Sequence, residues 1–227
     1  MILLEKVARW INTLPETTWL DAACGDGQLA DLVETHRRML GLDIEQIRLV
    51  RACDHPYRLL VQASVTDLPF ADQSLGGIVS IETLEHVEEI SLSLAECARC
   101  LEPKGHLIIS MPSVTLRSLW AMYRLRAPVY CCAEQHVREL SPITLKGFRH
   151  RFQTFKWFEK ELSRCGFKVV RRSGVGFVFP MWQGGLSWME HGMNLLYREN
   201  LNRIFSQLPF FRQFPYYRLY LAHLDTA

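Results

Sequence analysis

Apolar positions Leu3, Val7, Trp10, Ile11 and Leu14 recur at helical spacing and Pro15 closes the run, so the chain is expected to open with a helix on one edge of the core. From there extended and helical patterns alternate. Residues 18–23 read as a strand, 28–35 as a helix, 38–43 as a strand and 45–52 as a helix. Strands are expected again at 57–63 and 77–81, then a helix over 90–101 and a strand at 106–111. Farther on, a helix over 155–165 stops at Gly166, a residue suited to a left-handed helix end, and strands follow at 167–171 and 217–224. Such alternation builds a parallel sheet, because parallel neighbours need a crossover that returns the chain to the starting edge.

Two stretches depart from the rhythm. Residues 113–147, with Trp120, Tyr123, Arg124, Arg126, Pro128 and Tyr130, read as an insertion on the substrate side of the sheet. Residues 174–216 carry many aromatic side chains, among them Phe177, Trp182, Trp188, Tyr197 and Phe210, and read as a C-terminal cover. These rings either fill the layer against the last strands or present a hydrophobic substrate cover, a dimer contact or a membrane-surface patch. No repeat or low-complexity tract divides the chain, and 227 residues with 48% hydrophobic content suit one substantial core, so residues 1–227 are expected to form a single domain.

Charge and cysteine content narrow the function classes. Lys and Arg number 26 against 24 Asp and Glu, a net +2 that is too balanced for a general phosphate-binding face, so no nucleic acid partner is expected. No apolar run approaches the roughly 20 residues of a membrane span. The first residues reach Glu5 and Lys6 before a secretory hydrophobic region develops, which gives a cytoplasmic expectation with peripheral membrane contact left open. Seven cysteines, an odd number spread through periodic segments, read as reduced core residues. Cys97 and Cys100 have CxxC spacing but no second pair to complete a tetrahedral site, so no metal is expected.

The chemistry concentrates in the segment Trp19-Leu20-Asp21-Ala22-Ala23-Cys24-Gly25-Asp26-Gly27-Gln28, where an apolar strand meets a helix through closely spaced glycines. Such a loop lets a nucleotide-like ligand approach the backbone, since glycine lacks the Cβ that would block it. Asp43, 16 residues beyond Gly27, ends the next strand, where a carboxylate can accept hydrogen bonds from both hydroxyls of a ribose. Gly25, Gly27 and Ala30 also fit a GxGxxA dinucleotide motif, but no tyrosine is followed four residues later by lysine and there is no room for a separate hydride-acceptor domain.

These residues resemble the class I S-adenosylmethionine (SAM)-dependent methyltransferases, whose first motif commonly runs hydrophobic-Leu-Asp-x-Gly-Cys-Gly-x-Gly. Residues 63–75, beginning Ala63-Ser64-Val65-Thr66-Asp67, look like the family's adenine-reading region, with Ser64 aligned to the usual acid. Residues 78–87 resemble the fourth strand and its exit, and 101–109 the turn into the fifth; agreement is weaker at 136–142 and 165–167. The resemblance implies a three-layer α/β Rossmann-like fold with a seven-stranded, mostly parallel sheet and an antiparallel last strand. It also implies SAM as cofactor, held by Ala23, Cys24, Gly25, Gly27, Asp43, Ile44, Ser64 and Val65. Asp21 orders the glycine loop or reaches the cofactor through water, and Glu82 lies beneath the methyl or holds the amino-acid portion. Three positions depart from the pattern: Ala23 replaces the first motif glycine, Ser64 the adenine-reading acid, and Lys104 a frequent glycine in the turn before the fifth strand.

SAM carries its methyl on a sulfonium, so the protein has only to orient a nucleophile behind it and, for a hydroxyl or ammonium acceptor, to remove a proton. Histidine titrates closest to neutral pH, which singles out His86 after the fourth strand and His136 in the insertion as candidate bases. Glu85, Glu88 and Glu89 read as a solvated helical face. Arg117, Arg124, Arg126 and Arg138 either bind an acidic substrate or are solvated on the surface. The expected activity is methyl transfer to a small molecule, hydrophobic, lipid-like or aromatic, by a monomer or homodimer. A non-catalytic SAM-binding scaffold and a protein or RNA methyltransferase are the alternatives.

Overall fold

The computed structural model describes residues 2–112, 155–177 and 215–225. Seven strands form one sheet: β1 Thr18–Ala22, β2 Arg38–Asp43, β3 Leu59–Gln62, β4 Leu75–Ser80, β5 Leu101–Pro112, β6 Phe167–Phe177 and β7 Pro215–Leu224. Their order is β3-β2-β1-β4-β5-β7-β6. β1 to β5 pair in parallel, and β7 runs antiparallel to both β5 and β6, so β7 alone opposes the common direction. This is the fold class expected from the sequence.

Helices cover both faces. α1, Ile2–Thr13, turns Val7, Ala8, Trp10 and Ile11 onto the face that carries Trp19, Met39, Val79 and Ile108. α3, Ile90–Cys100, and α4, Phe155–Arg164, cover the other face, where Leu94, Cys97, Cys100, Phe158 and Leu162 pack on Leu20, Leu42, Ile78 and Leu107. Alternation along each strand sends successive side chains to opposite faces, which is why Trp19 and Leu20 belong to different cores. α2, Gln46–Ala52, closes a smaller cluster in which Leu49 and Ala52 meet Cys24. Cys97 and Cys100 are both buried, as core residues. Gly166, at φ +83, ends the hydrogen-bonded turns of α4.

Several expectations need correction. The helix expected over 28–35 is a single 3₁₀ turn, Ala30–Leu32, followed by Val33 in extended backbone and a second turn closed by the Arg37 N–H to Glu34 O at 3.0 Å. Leu29, Ala30 and Val33 are all buried, so the apolar spacing that suggested a helix serves a turn and the stretch leading out of it. The turn at 101–105 is incorporated into β5 as an irregularity, with Leu75 paired to Leu101 but Gly77 to His106. β6 extends beyond the expected 167–171 to Phe177 and β7 begins at Pro215, and the rest of the expected C-terminal cover, 178–214, lies outside the described residues. Glu85 is not solvated: it is 1% exposed in the 3₁₀ turn Leu84–His86, because the α-helix starts only at Ile90 and no continuous helical face exists there. Glu88 and Glu89 are exposed as expected. The insertion 113–147, with His136 and its arginines, lies outside the described residues.

Candidate functional site

Beyond β1 the chain curls through three left-handed residues in five: Ala23 at φ 68, Gly25 at φ 56 and Gly27 at φ 100. The Cys24 N–H donates to Leu42 O at 2.8 Å and anchors the loop to β2. Asp43, the last residue of β2, then ties two loops together. Its Oδ2 accepts the Gly25 N–H and its Oδ1 accepts the Glu45 N–H, each at 2.9 Å. Each carboxylate oxygen has a second lone pair, enough to accept a pair of ligand hydroxyls. Gly27 serves another purpose than expected. A Cβ there would lie 2.6 Å from His55 Cδ2 and 3.0 Å from Ala52 Cα, so its lack of a side chain lets the loop pack on α2, and it does not line the cavity.

The cavity beside this loop has a volume of about 650 Å³, within the roughly 300–1,000 Å³ of small-molecule sites. It opens at the carboxyl edge of β1, β2 and β4, where open α/β sheets bind ligands. Asp21, Ala23, Cys24, Gly25, Asp43, Ile44, Ser64, Val65, Glu82 and His86, ten of the residues singled out from the sequence, line it together. Ile44 is 61% exposed at its wall, an apolar surface turned to the opening. Glu82 stands at φ 53, its N–H donated to Ser110 Oγ at 2.8 Å, which fixes the exit of β4. His86 follows in the 3₁₀ turn, its N–H donated to Thr83 O at 2.9 Å.

Sequence reasoning missed Leu3 and Leu4 of α1, Arg48 and Thr66, which also line the cavity. Thr66 was legible in principle. Ser64 Oγ accepts the Thr66 N–H at 3.2 Å and lies 2.7 Å from its Oγ1, a local serine turn of the kind a Ser-x-Thr sequence offers. Tyr57, behind the cavity wall, had no sequence signal at all. Its hydroxyl donates to Asp21 Oδ2 at 2.6 Å.

The electrostatics are one-sided. Among the described residues, Asp21, Asp26, Asp43, Glu45, Glu82, Glu88 and Glu89 line the cavity against a single guanidinium, Arg48, which is within 3.5 Å of Asp26 and of Glu45. Burial pushes the Asp21 carboxyl up to about 7, opposed by the Tyr57 hydrogen bond and reinforced by Asp43. Burial also raises Asp43, against the two backbone N–H groups it accepts. A concave surface with this charge favours a cation.

Comparison with known proteins agrees with the geometry. A methyltransferase-domain family model matches residues 20–109, from the core of β1 into β5. Over that stretch, which holds the glycine loop and the ends of β1, β2 and β4, the chain is similar to SAM-dependent methyltransferases. A Mycolicibacterium smegmatis protein named as a probable SAM-dependent methyltransferase is 33% identical over 97 residues, 41% of this chain and 37% of the relative. The ubiquinone biosynthesis O-methyltransferase of Alkalilimnicola ehrlichii is 30% identical over 114 residues, 47% of this chain and 46% of the relative. The matched part thus spans less than half the length of these curated relatives. Magnesium protoporphyrin IX methyltransferase from Synechocystis PCC 6803, solved with bound SAH, shares the fold at a TM-score of 0.61, with 17% identity, covering 99% of this chain and 83% of that one.

SAM is the cofactor named for the similar methyltransferases, and the described residues fit it. The glycine loop leaves its backbone open, Asp43 offers a doubly anchored carboxylate, Ile44 an apolar wall, and the surplus of carboxylates suits a sulfonium cation. Ala23, where the motif that the chain resembles has glycine, keeps the left-handed backbone that glycine adopts freely.

Proposed function

We propose that this methyltransferase transfers a methyl group from SAM to a small-molecule acceptor, hydrophobic and lipid-like or aromatic. One observation carries the reading: Asp43, held by the Gly25 and Glu45 N–H groups, stands in an acidic cavity that also receives Glu82 and His86 from the exit of β4. When bound, SAM supplies a methyl group already activated on a positive sulfur. Asp43 would hold the ribose hydroxyls, Ile44 and Val65 would offer the adenine an apolar wall, and the Ser64–Thr66 turn would supply polar groups to it. Asp21 and Glu82 supply negative charge toward the cationic end. His86 accepts the acceptor's proton on a ring nitrogen as the nucleophile attacks. The names of the ubiquinone O-methyltransferase relative and of the porphyrin methyltransferase neighbour support a conjugated, largely apolar acceptor. A cytoplasmic location is consistent with the five free thiols among the described residues, Cys24, Cys53, Cys97, Cys100 and Cys165.

A second reading, a SAM-binding scaffold without turnover, is favoured by the strained backbone of Ala23 and by the engagement of Ser64 Oγ with Thr66 instead of a free acid at that position. Titration calorimetry with SAM, with NAD and an Asp43→Ala variant as controls, tests both. Saturable SAM binding that weakens at least about a hundredfold, ~3 kcal/mol, in the variant is expected. An acceptor screen on the same preparation then separates enzyme from scaffold. A folded protein that binds NAD but not SAM would sink the proposal.

A further inference from the structure

Tyr57 belongs to none of the motif segments and does not line the cavity, yet it reaches the most buried carboxylate of the cavity wall. The loop after α2 carries it there. Its N–H bonds back to His55 O at 2.8 Å, and the next residue, Arg58, donates its N–H to Met39 O of β2 at 2.8 Å. The ring then lies over Gly41, which is paired in register with Asp21 on the neighbouring strand. A Cβ at Gly41 would come within 3.2 Å of Tyr57 Cδ1 and 2.6 Å of Leu60 Cδ2. The missing side chain in β2 is therefore the gap through which a residue of the β3 side touches β1. Asp21 is 3% exposed and lines the cavity, so its charge faces the ligand and not bulk water.

We propose that Tyr57 is the positioning residue for Asp21, orienting its carboxylate and sustaining its negative charge, so that the cavity's hold on a cationic ligand is coupled to a proton on Asp21. The inference rests on the SAM-binding reading above. The titratable groups facing Asp21 are Tyr57, Asp43 from the end of β2 and the Cys24 thiol of the loop. From β4, Val79 stands beside it in register and Glu82 enters the same cavity, and α1 contributes Leu3 and Leu4. Arg48, the cation of the cavity, is engaged with Asp26 and Glu45. Burial therefore favours the protonated acid, and the phenol is the group that opposes it.

The test measures SAM binding by calorimetry between pH 5.5 and 8.5 for the wild type, Tyr57→Phe and Asp21→Asn. Ionisation of SAM itself is common to all three, so the differences between proteins are read. Wild-type affinity should gain on Asp21→Asn as pH rises through about 7. Tyr57→Phe should move that gain to higher pH, weakening binding about three- to tenfold at pH 7 with recovery at pH 8.5, since one unit of proton affinity is tenfold. A loss in Tyr57→Phe that is equal at every pH, or a wild-type curve parallel to Asp21→Asn, overturns the proposal. A second readout needs no ligand: the carboxyl infrared band of Asp21, isolated by subtracting the Asp21→Asn spectrum, should titrate at higher pH in Tyr57→Phe. If that variant does not fold, wild-type protein carrying 3-fluorotyrosine, a stronger donor, should show the band titrating at lower pH. Absence of SAM binding at any pH would sink the proposed function, whereas an unshifted infrared midpoint would sink the role of Tyr57.

Discussion

Two groups of carboxylates on this molecule are treated in opposite ways. Behind α3, Glu96 accepts Arg99 through both oxygens, at 2.9 and 2.8 Å, and the Leu68 N–H at 2.9 Å. Arg99 goes on to Phe70 O, Leu68 O and Asp72. The hydrogen bonds from Arg99 hold the Glu96 carboxyl below its ordinary range. At the cavity, Asp21 and Asp43 receive only a phenol and backbone N–H groups, and burial raises both. A carboxylate that serves the fold is given its cation by the chain. On the proposed function, one that serves a ligand is buried without a full partner, at some cost in stability, and the missing cation is the ligand's.

The largest effect expected from this contrast is on the pH dependence of folding. Asp21 is raised to about 7 in the folded chain, against about 3.9 when unfolded. Between those values the folded protein keeps a proton that the unfolded chain has released, so stability falls as pH rises through the window and levels off above it. Relative to Asp21→Asn, the ligand-free wild type should lose up to about 4 kcal/mol between pH 4 and pH 8, measured as urea midpoints across the range. Parallel curves for the two proteins would remove the distinction between the two groups. Glu96 has the opposite sign: its contribution is present above the unfolded value and is lost as pH falls through its lowered folded value.

Arg99→Met should sharpen the comparison from the structural side. It strips Glu96 of its cation and leaves the Phe70 and Leu68 carbonyls without their donor, for an expected loss of about 2 kcal/mol in denaturant unfolding at pH 7. Because Arg99 is 33% exposed, solvent screens part of the ion pairs. SAM affinity should stay within about threefold of wild type, as for a site remote from the ligand. A loss comparable to that of Asp43→Ala would mean that the Arg99 network shapes the cavity through the turn at Ser64–Thr66.

The same division explains what the sequence made legible. Strands β1, β2 and β4 and helices α2 and α3 follow from apolar periodicity, and ten cavity residues follow from the glycine loop, the acid at the end of β2 and the resemblance of four ordered segments. Those signals are local: a turn needs glycine, and a strand end needs its acid. Tyr57 and Arg48 are joined to the site only by folding, since the Asp21–Tyr57 pair is separated by 36 positions in the chain and depends on a glycine in a third element. The 28–35 helix failed for a related reason. Burial of Leu29, Ala30 and Val33 is a tertiary fact that a turn with an extended exit satisfies as well as a helix does. Glu85 was read as solvated from its charge, and charge alone does not report which face a single 3₁₀ turn presents.

The smallest effect bears on the two departures from the family pattern that share one dihedral. Ala23 stands at φ 68 and Lys104 at φ 67, both where the motif pattern that the chain resembles commonly has glycine. Left-handed backbone costs a residue with a Cβ about 1–2 kcal/mol, part of which glycine returns through its larger unfolded-state entropy. Ala23→Gly and Lys104→Gly should therefore each stabilise by about 0.5–1 kcal/mol, or ~1–4 °C in Tm for a chain of this size. Lys104 lies in the irregular stretch of β5 between paired Leu101 and His106 and does not line the cavity, so its variant should leave SAM affinity unchanged. Ala23 lines the cavity, and there the two readouts divide. A gain in both stability and affinity would mean that the strain is a tolerated substitution. A gain in stability with weaker binding would mean that the Ala23 methyl group packs against the ligand, and that the chain retains a strained backbone because the bound state needs it.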